Sequence, residues 1–411
     1  MLHIAIAIGL ISGFAVGLLA AATGNETLTA IAVGSAPLGE IFMNAIQMAV
    51  IPLVMSVIFT GVARLGNPKT MGRLGGLTLG FFWSSVFLAT MVGMFVMKVG
   101  LRFAPDAPIT TAVASQSPEI PGFIDFIVGL IPSNPFAAAS SGALLPLIVF
   151  VALFAAATGT LPDERRERLI LLADDVSNVM IKLVWWILLT APVGVFGLAA
   201  PVTAELGWAL IQSLAIFIAS VIAGLAIYMA LVFVPFLYFV ARIGPVRFFS
   251  GTFGAASVAF STTSTAVTLP VSLKEATENL GVSKPVADLV IPLGASMYRP
   301  GSALFQGAAI IYLAHLYQVP MPAVALSGAL LASFLVALTV APVPSSSVVT
   351  LAPALDAVGI PVAGIAVLLG VDRIPDMFRT VTNALGQIVV SAVVDRWMGH
   401  EVRAESDAAS D

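Results

Sequence analysis

Apolar runs close to the length of a bilayer crossing recur along this chain, and no other feature limits its possible folds as severely. They cover residues 3–22, 41–63, 74–97, 144–161, 169–200 and 208–240, and two longer mixed regions follow before a last apolar segment at 362–394. A helix needs about 20 apolar residues to cross the hydrocarbon core. Inside lipid the backbone must satisfy its own N–H and C=O groups, so runs of this length fold as helices. The composition agrees, with 59% of 411 residues hydrophobic and 10% charged, against roughly 25% charged in soluble domains. The expected fold class is an all-α polytopic membrane protein.

Several function classes fall away at once. The first apolar run lacks the basic leader of a secretory signal and reads as a first span. There are no cysteines, which removes disulfides, thiol catalysis and thiolate metal sites. A net charge of −4 is too diffuse for nucleic-acid binding. Ser/Thr clusters are present, but no His or Lys is placed to activate a nucleophile, and no His/Asp/Glu cluster has metal-ligand spacing. The chain therefore reads as neither an enzyme nor a cofactor protein, with no metal site. The end, EVRAESDAASD, reads as a solvated tail, 399–411.

Basic residues concentrate in alternate connections. Arg64, Lys69 and Arg73 follow the second run, Arg165, Arg166 and Arg168 the fourth, and Arg242 and Arg247 the sixth, while Arg396 and Arg403 flank the C-terminus. The intervening connections, 23–39 and 201–207, have none. The positive-inside bias then puts both termini in the cytoplasm of a cell-membrane protein, with an even number of crossings. Lys98 and Arg102 break the pattern and are expected to snorkel. At membrane depth that leaves Arg299, Arg373, Arg379 and, at its margin, Lys182. A central Arg costs about 2.5–3.5 kcal/mol on insertion scales, so each needs a partner or a purpose.

Two regions fail as simple spans in the same way. VAFSTTSTAVTLPVS (258–272) is apolar at its edges and rich in Ser and Thr at its middle. ALTVAPVPSSSVVTLAPAL (337–355) repeats that design with Pro342, Pro344 and three serines. Each suits a re-entrant hairpin, whose irregular tip is tolerated only where protein or water lines it. Paired interruptions in two halves of a chain point to a transporter binding site between inverted repeats. Two kinked ordinary helices, or a signalling bundle, would carry the same pattern.

In GVDRIPDMFRTVTNALGQ (370–387) the residues Asp372, Asp376, Arg379, Thr380 and Asn383 recur at spacings of three and four, along one helix face. Such a face offers complementary ends to a zwitterion: Asp376 for an ammonium, Arg379 for a carboxylate held bidentately. Mutual pairing of Asp376 and Arg379, only to hold the helix in its bundle, is the competing reading. Pro375 removes a helical hydrogen bond and predicts a local kink.

With these segments in order, MAVIPLVMSVIFTGVARLG, IPSNPFAAASSGALLPLIVF, APVGVFGL, STTSTAVTLP and DMFRTVTNALG, nearly the whole chain resembles the dicarboxylate/amino-acid:cation symporters, the glutamate and aspartate transporter family. The resemblance implies eight transmembrane helices plus two re-entrant hairpins, arranged as inverted repeats in a homotrimer with an elevator mechanism. It implies scaffold segments at 1–70 and 121–206 and transport-domain segments at 71–120 and 207–398. The hairpins would fall at about 247–272 and 325–356. Carried over by position, Asp376 holds the substrate amino group and Arg379 its side-chain carboxylate. Thr380, Asn383, Thr265, Ser302 and Val343 complete the substrate set. Members for C4-dicarboxylates typically lack the acid and members for neutral amino acids lack the arginine, so both together imply an acidic amino acid.

The departure from the family lies in GASMYRPGSALF (294–305), inside an apolar stretch from 286 to 313. Relatives usually read a hydrophobic residue and then Asn-Met-Asp-Gly-Thr here, with the Asn and Asp binding sodium. Tyr298, Arg299 and Pro300 stand in their place, and a second sodium-binding Asp is Gln387. Two carboxylates are lost and one guanidinium is gained, a change of three charges in the positive direction, as bound sodium would supply. Arg299 is therefore expected to be a built-in cation, always protonated, and transport to be independent of sodium. A structural pair of Arg299 with Asp372 or Asp376 is the alternative. Ser84 and Ser85 match polar positions that touch sodium in relatives. A desolvated carboxylate can titrate near neutrality, which makes Asp372 a candidate proton site. A proton-coupled C4-dicarboxylate symporter and a non-transporting sensor remain as other readings.

Overall fold

The computed structural model describes residues 2–64, 72–105, 128–129, 131–140, 144–338, 340 and 345–398. Every regular element among them is helical. The first group comprises α1 (Leu2–Thr23), α2 (Glu26–Gly34), α3 (Ala36–Arg64), α4 (Gly72–Gly100), α5 (Pro135–Ser140), α6 (Leu144–Thr158), α7 (Asp163–Leu189) and α8 (Ala191–Leu206). Then come α9 (Trp208–Tyr228), α10 (Pro245–Gly251), α11 (Phe253–Thr262), α12 (Thr265–Glu278), α13 (Lys284–Met297) and α14 (Pro300–Leu316). The chain finishes with α15 (Ala323–Ala337), α16 (Ser346–Val349), α17 (Ala352–Asp356), α18 (Gly364–Val371) and α19 (Arg373–Met398).

Among the described residues, three helical stretches combine the length and apolar character needed to cross a membrane: Gly75–Phe103, Trp208–Ala241 and Arg373–Met398. Large apolar side chains face outward on several helices, among them Ile8, Ile11, Trp83, Phe95, Trp186, Leu231 and Phe239. A surface of this kind suits lipid, where apolar exposure carries no penalty. On α19, by contrast, Asp376, Arg379, Asn383, Gln387 and Ser391 are all buried.

Most helix ends fall where the residues demand. The apolar run at 169–200, expected as one segment, is two helices: α7 ends at Leu189 and α8 restarts beyond Thr190, with Pro192 in its first turn. Proline is tolerated there because the N–H it lacks would have no helical acceptor. The sixth run continues past α9 through two π-helical turns, Met229–Phe233 and Phe236–Ala241, with Pro235 between them. It ends at Arg242 in a left-handed conformation, φ 57°.

Two packing groups result. α1, α3, α6, α7 and α8 pack on one another. α4, α9, α11, α12, α13 and α14 gather around α19. Where α4 meets α14 the backbones approach closely, because a Cβ on Gly93 would overlap the Leu304 backbone and one on Gly307 would meet that of Thr90. Small residues permit this approach between helices in lipid.

The first interrupted region is a helical hairpin. α11 and α12 are joined through Thr263 and Ser264, and Glu275 on α12 accepts hydrogen bonds from the N–H groups of Gly254 (3.0 Å) and Ala255 (2.8 Å). That contact pairs the start of α11 with the far part of α12, so the two run antiparallel, and the carboxylate satisfies open donors at a helix N-terminus. The hairpin occupies 253–278, shifted from the expected 247–272, because α10 forms a separate turn before it. In the second region α17 packs back on α15. The last apolar segment is broken at Asp372, between α18 and α19. Pro375, three residues on, has no N–H for the Val371 carbonyl, the loss expected to kink this segment.

Candidate functional site

α19 brings the charged stripe together. Arg379 donates to Asp372 from both terminal nitrogens, at 2.6 and 2.9 Å, a bidentate pair. Its Nε donates to Asp376 Oδ1 at 3.0 Å, and Nη2 lies 2.9 Å from the same oxygen. The guanidinium also sits 4.3 Å from the ring centroid of Phe305 on α14, a favourable cation–π placement. All three charged side chains are buried. The mutual pairing of Asp376 and Arg379, the competing reading of this face, is present, with Asp372 as a further partner, seven residues before Arg379.

The other oxygen of Asp376 receives a second element. The N–H of Ser345 donates to Asp376 Oδ2 at 3.1 Å, and Ser345 has φ 59°, the left-handed region. Val343, two residues earlier, lies outside the described residues. Ser347 donates to Ser302 Oγ at 2.8 Å, and Asn383 Nδ2 reaches the same oxygen at 3.3 Å. Asn383 Oδ1 accepts the N–H of Gly301 at 2.8 Å. Asp376, Arg379, Asn383 and Ser302 therefore converge with Ser345 and Ser347. Thr380 is buried on the same helix. Thr265, at the start of α12, is buried with no partner for its hydroxyl and touches none of these groups by hydrogen bond.

The break between α13 and α14 lies at Tyr298 and Arg299, with Pro300 opening α14. Gly301 is required by close approach, since a Cβ would overlap the Arg379 backbone. Arg299 is 4% exposed. Its Nη2 donates to the carbonyl of Ala295 at 2.7 Å, in the last turn of α13, and its Nε has no partner. The expected alternative of an ion pair with Asp372 or Asp376 is not formed: both carboxylates go to Arg379. A guanidinium on the terminal carbonyls of a half-helix complements its negative dipole end.

Tyr298 stacks on Phe82, with centroids 4.4 Å apart, and its hydroxyl bonds Ser85 Oγ at 2.7 Å. Ser85 also bonds the hydroxyl of Tyr228. Ser84, by contrast, is exposed and bonds its own helix. Gln387 is fully buried beside Gly294, and neither its amide nitrogen nor its oxygen has a partner. Lys182 lies on an exposed face near Trp186. Sequence reading missed Tyr228 and Phe305, which carry no charge or motif to mark them, whereas Ser347 is one of the three serines of the second interrupted region. Among the described residues no cluster of three or more His, Cys, Asp or Glu forms a metal-binding group.

Comparison with known proteins places this arrangement. Residues 2–397 match the model of the sodium:dicarboxylate symporter family. The chain belongs to that family. It is a family of secondary membrane transporters, not enzymes. A C4-dicarboxylate transport protein from Anaeromyxobacter sp. (strain K) is 31% identical, over 99% of this chain and 92% of the relative. A proton/sodium-glutamate symport protein from Bacillus subtilis (strain 168) is 30% identical, over 95% of this chain and 91% of the relative. A proton/glutamate-aspartate symporter from Escherichia coli (strain K12) is 31% identical, over 88% and 84%. The chain is thus a multi-pass membrane transporter of the dicarboxylate and glutamate symporter family.

Proposed function

We propose that this transporter carries an acidic amino acid, aspartate or glutamate, independently of sodium, with Arg299 serving as a permanent cation. The observation that carries this reading is the buried Arg299 guanidinium, whose Nη2 donates to the Ala295 carbonyl at the end of α13. A positive charge held there by the chain leaves no need for an exchangeable one. Tyr298 fills the neighbouring space with a hydroxyl held by Ser85, and neither Pro300 nor Gln387 supplies a carboxylate.

In this reading Asp376 takes the substrate ammonium and Arg379 its side-chain carboxylate, with Thr380, Asn383, Ser302, Thr265 and Val343 as polar and packing contacts. Substrate enters by exchanging partners with the existing pair, since Asp376 and Arg379 already bond each other. The transport domain comprises 71–120 and 207–398, including both re-entrant hairpins, and moves as an elevator against the scaffold 1–70 and 121–206. Eight full crossings, a homotrimer in the cell membrane and cytoplasmic termini with a tail at 399–411 complete the proposal.

A proton-coupled C4-dicarboxylate symporter is the second reading, favoured by the engagement of Asp376 with both Arg379 and Ser345, which leaves it less available to an ammonium. Calorimetry of the purified protein with aspartate, glutamate and succinate, in sodium and in choline, across pH, separates the two. Amino-acid binding unchanged by sodium is expected. Binding seen only with sodium overturns the role of Arg299, and tight succinate binding with weak aspartate binding selects the second reading. Binding without flux in vesicles indicates a sensor.

A further inference from the structure

Arg373 opens α19 one residue after Asp372, yet its side chain is not part of the buried ion pair. Its Nη1 donates to Thr263 Oγ1 at 2.7 Å and its Nη2 to the Ser261 carbonyl at 3.3 Å, across more than a hundred residues of sequence. Both acceptors belong to the tip of the α11–α12 hairpin. Ser261 lies in the last turn of α11, where carbonyls lack helical partners and a cation is favoured by the dipole. Thr263 ends that helix with φ 51°, a left-handed conformation that a β-branched residue rarely holds without outside support. Within the tip, Thr262 Oγ1 accepts the Ser264 N–H and Ser264 Oγ accepts the Val267 N–H. These bonds order the turn itself.

Arg373 is half-buried. Asp372 and Arg373 are neighbours in sequence with divided duties: the first fixes Arg379, the second fixes the hairpin tip that precedes Thr265. We propose that Arg373 is a positioning residue that latches the α11–α12 tip onto α19, and that the latch sets how fast bound substrate escapes past this hairpin. The second half rests on the substrate site described above; the first does not.

The latch is tested by hydrogen–deuterium exchange of the full protein in nanodiscs without substrate. In Arg373→Gln the amides of residues 263–267 are expected to exchange about tenfold faster, the scale of one lost charge-assisted hydrogen bond, with α4 and α14 unchanged. Arg373→Lys keeps the charge but not the fork and is expected to fall between. Thr263→Val removes one acceptor and should loosen the same amides, with little further effect in the double variant. If Arg373→Gln loosens the whole fold, Thr263→Val alone decides the matter. Unchanged tip exchange overturns the latch.

A second arm measures dissociation of bound aspartate by stopped flow. Faster release from Arg373→Gln, matching the loosened tip, is expected. A loosened tip with unaltered release overturns the control of escape and leaves the latch standing. Absence of aspartate binding in the unsubstituted protein contradicts the substrate reading instead, while the exchange result still tests the latch.

Discussion

Arg379 meets four polar approaches from two carboxylates and an aromatic face from Phe305. Its charge is what allows Asp372 and Asp376 to share one buried face. Removing one partner of such a group leaves uncompensated charge in a low-dielectric site, at a cost of about 3–5 kcal/mol. Arg379→Gln is expected to destabilise the protein by about that amount, read by thermal unfolding in detergent. Adding Asp372→Asn should restore part of the loss, because the two residues act as one unit; simple additivity would show them to be independent. Arg299 calls for a different experiment. If it replaces a cation, then Arg299→Met together with Pro300→Asp and Gln387→Asp returns two carboxylates and removes one guanidinium. Sodium-dependent tightening of aspartate binding is expected in the triple variant and not in Arg299→Met alone. At this scale the sequence was informative wherever a charge interrupted an apolar run, because such a residue has few tolerable environments. It offered several partners for each charge and did not choose among them. Asp372 could have met Arg299 or Arg379, and only the fold of the α13–α14 break, turning Arg299 toward Ala295, decides between them.

Elements were legible where the backbone itself forbids continuation. Pro300 and Pro375 each stand within the first turn of a helix, and the Ser/Thr-rich centre of 258–272 contains the Thr263–Ser264 turn; the break before Pro192 was hidden inside a continuous apolar run. The pairing of elements was not legible, since it depends on contacts such as Glu275 with Gly254 or Gly93 with Leu304 that lie far apart in sequence. Along α4, glycine has two different meanings. Gly93 faces the Leu304 backbone at a distance no side chain tolerates, whereas a Cβ at Gly80 meets nothing within 4 Å. Gly93→Ala is expected to cost about 1–3 kcal/mol by overpacking the α4–α14 contact. Gly80→Ala, on an open face of the same helix, should be neutral or stabilising by about 0.4–1 kcal/mol. Equal effects at the two positions, in paired thermal melts, would sink the close-approach argument.

The whole molecule divides its contacts into two groups, one around α3 and α8 and one around α19, and α18 lies where they meet. Gly370 on α18 is placed so that a Cβ would press on Leu10 of α1 and reach Val195 of α8. α18 leads directly into Asp372 and the ion pair, so any sliding of the α19 group against α1 and α8 must be accommodated here. If substrate crosses by such sliding, tying α1 to α18 should stop transport without touching the site. The chain has no cysteine, so Leu10→Cys with Gly370→Cys can be joined by a short bis-maleimide with no background reaction. The expected outcome in proteoliposomes is loss of aspartate flux in proportion to the cross-linked fraction, with calorimetric affinity within about twofold of the unlinked variant. Loss of both would mean that the link distorts Asp372 and Arg379. Flux that persists through complete cross-linking would mean that α18 stays with α1 during transport, and the moving body would then have to begin beyond the break at Asp372.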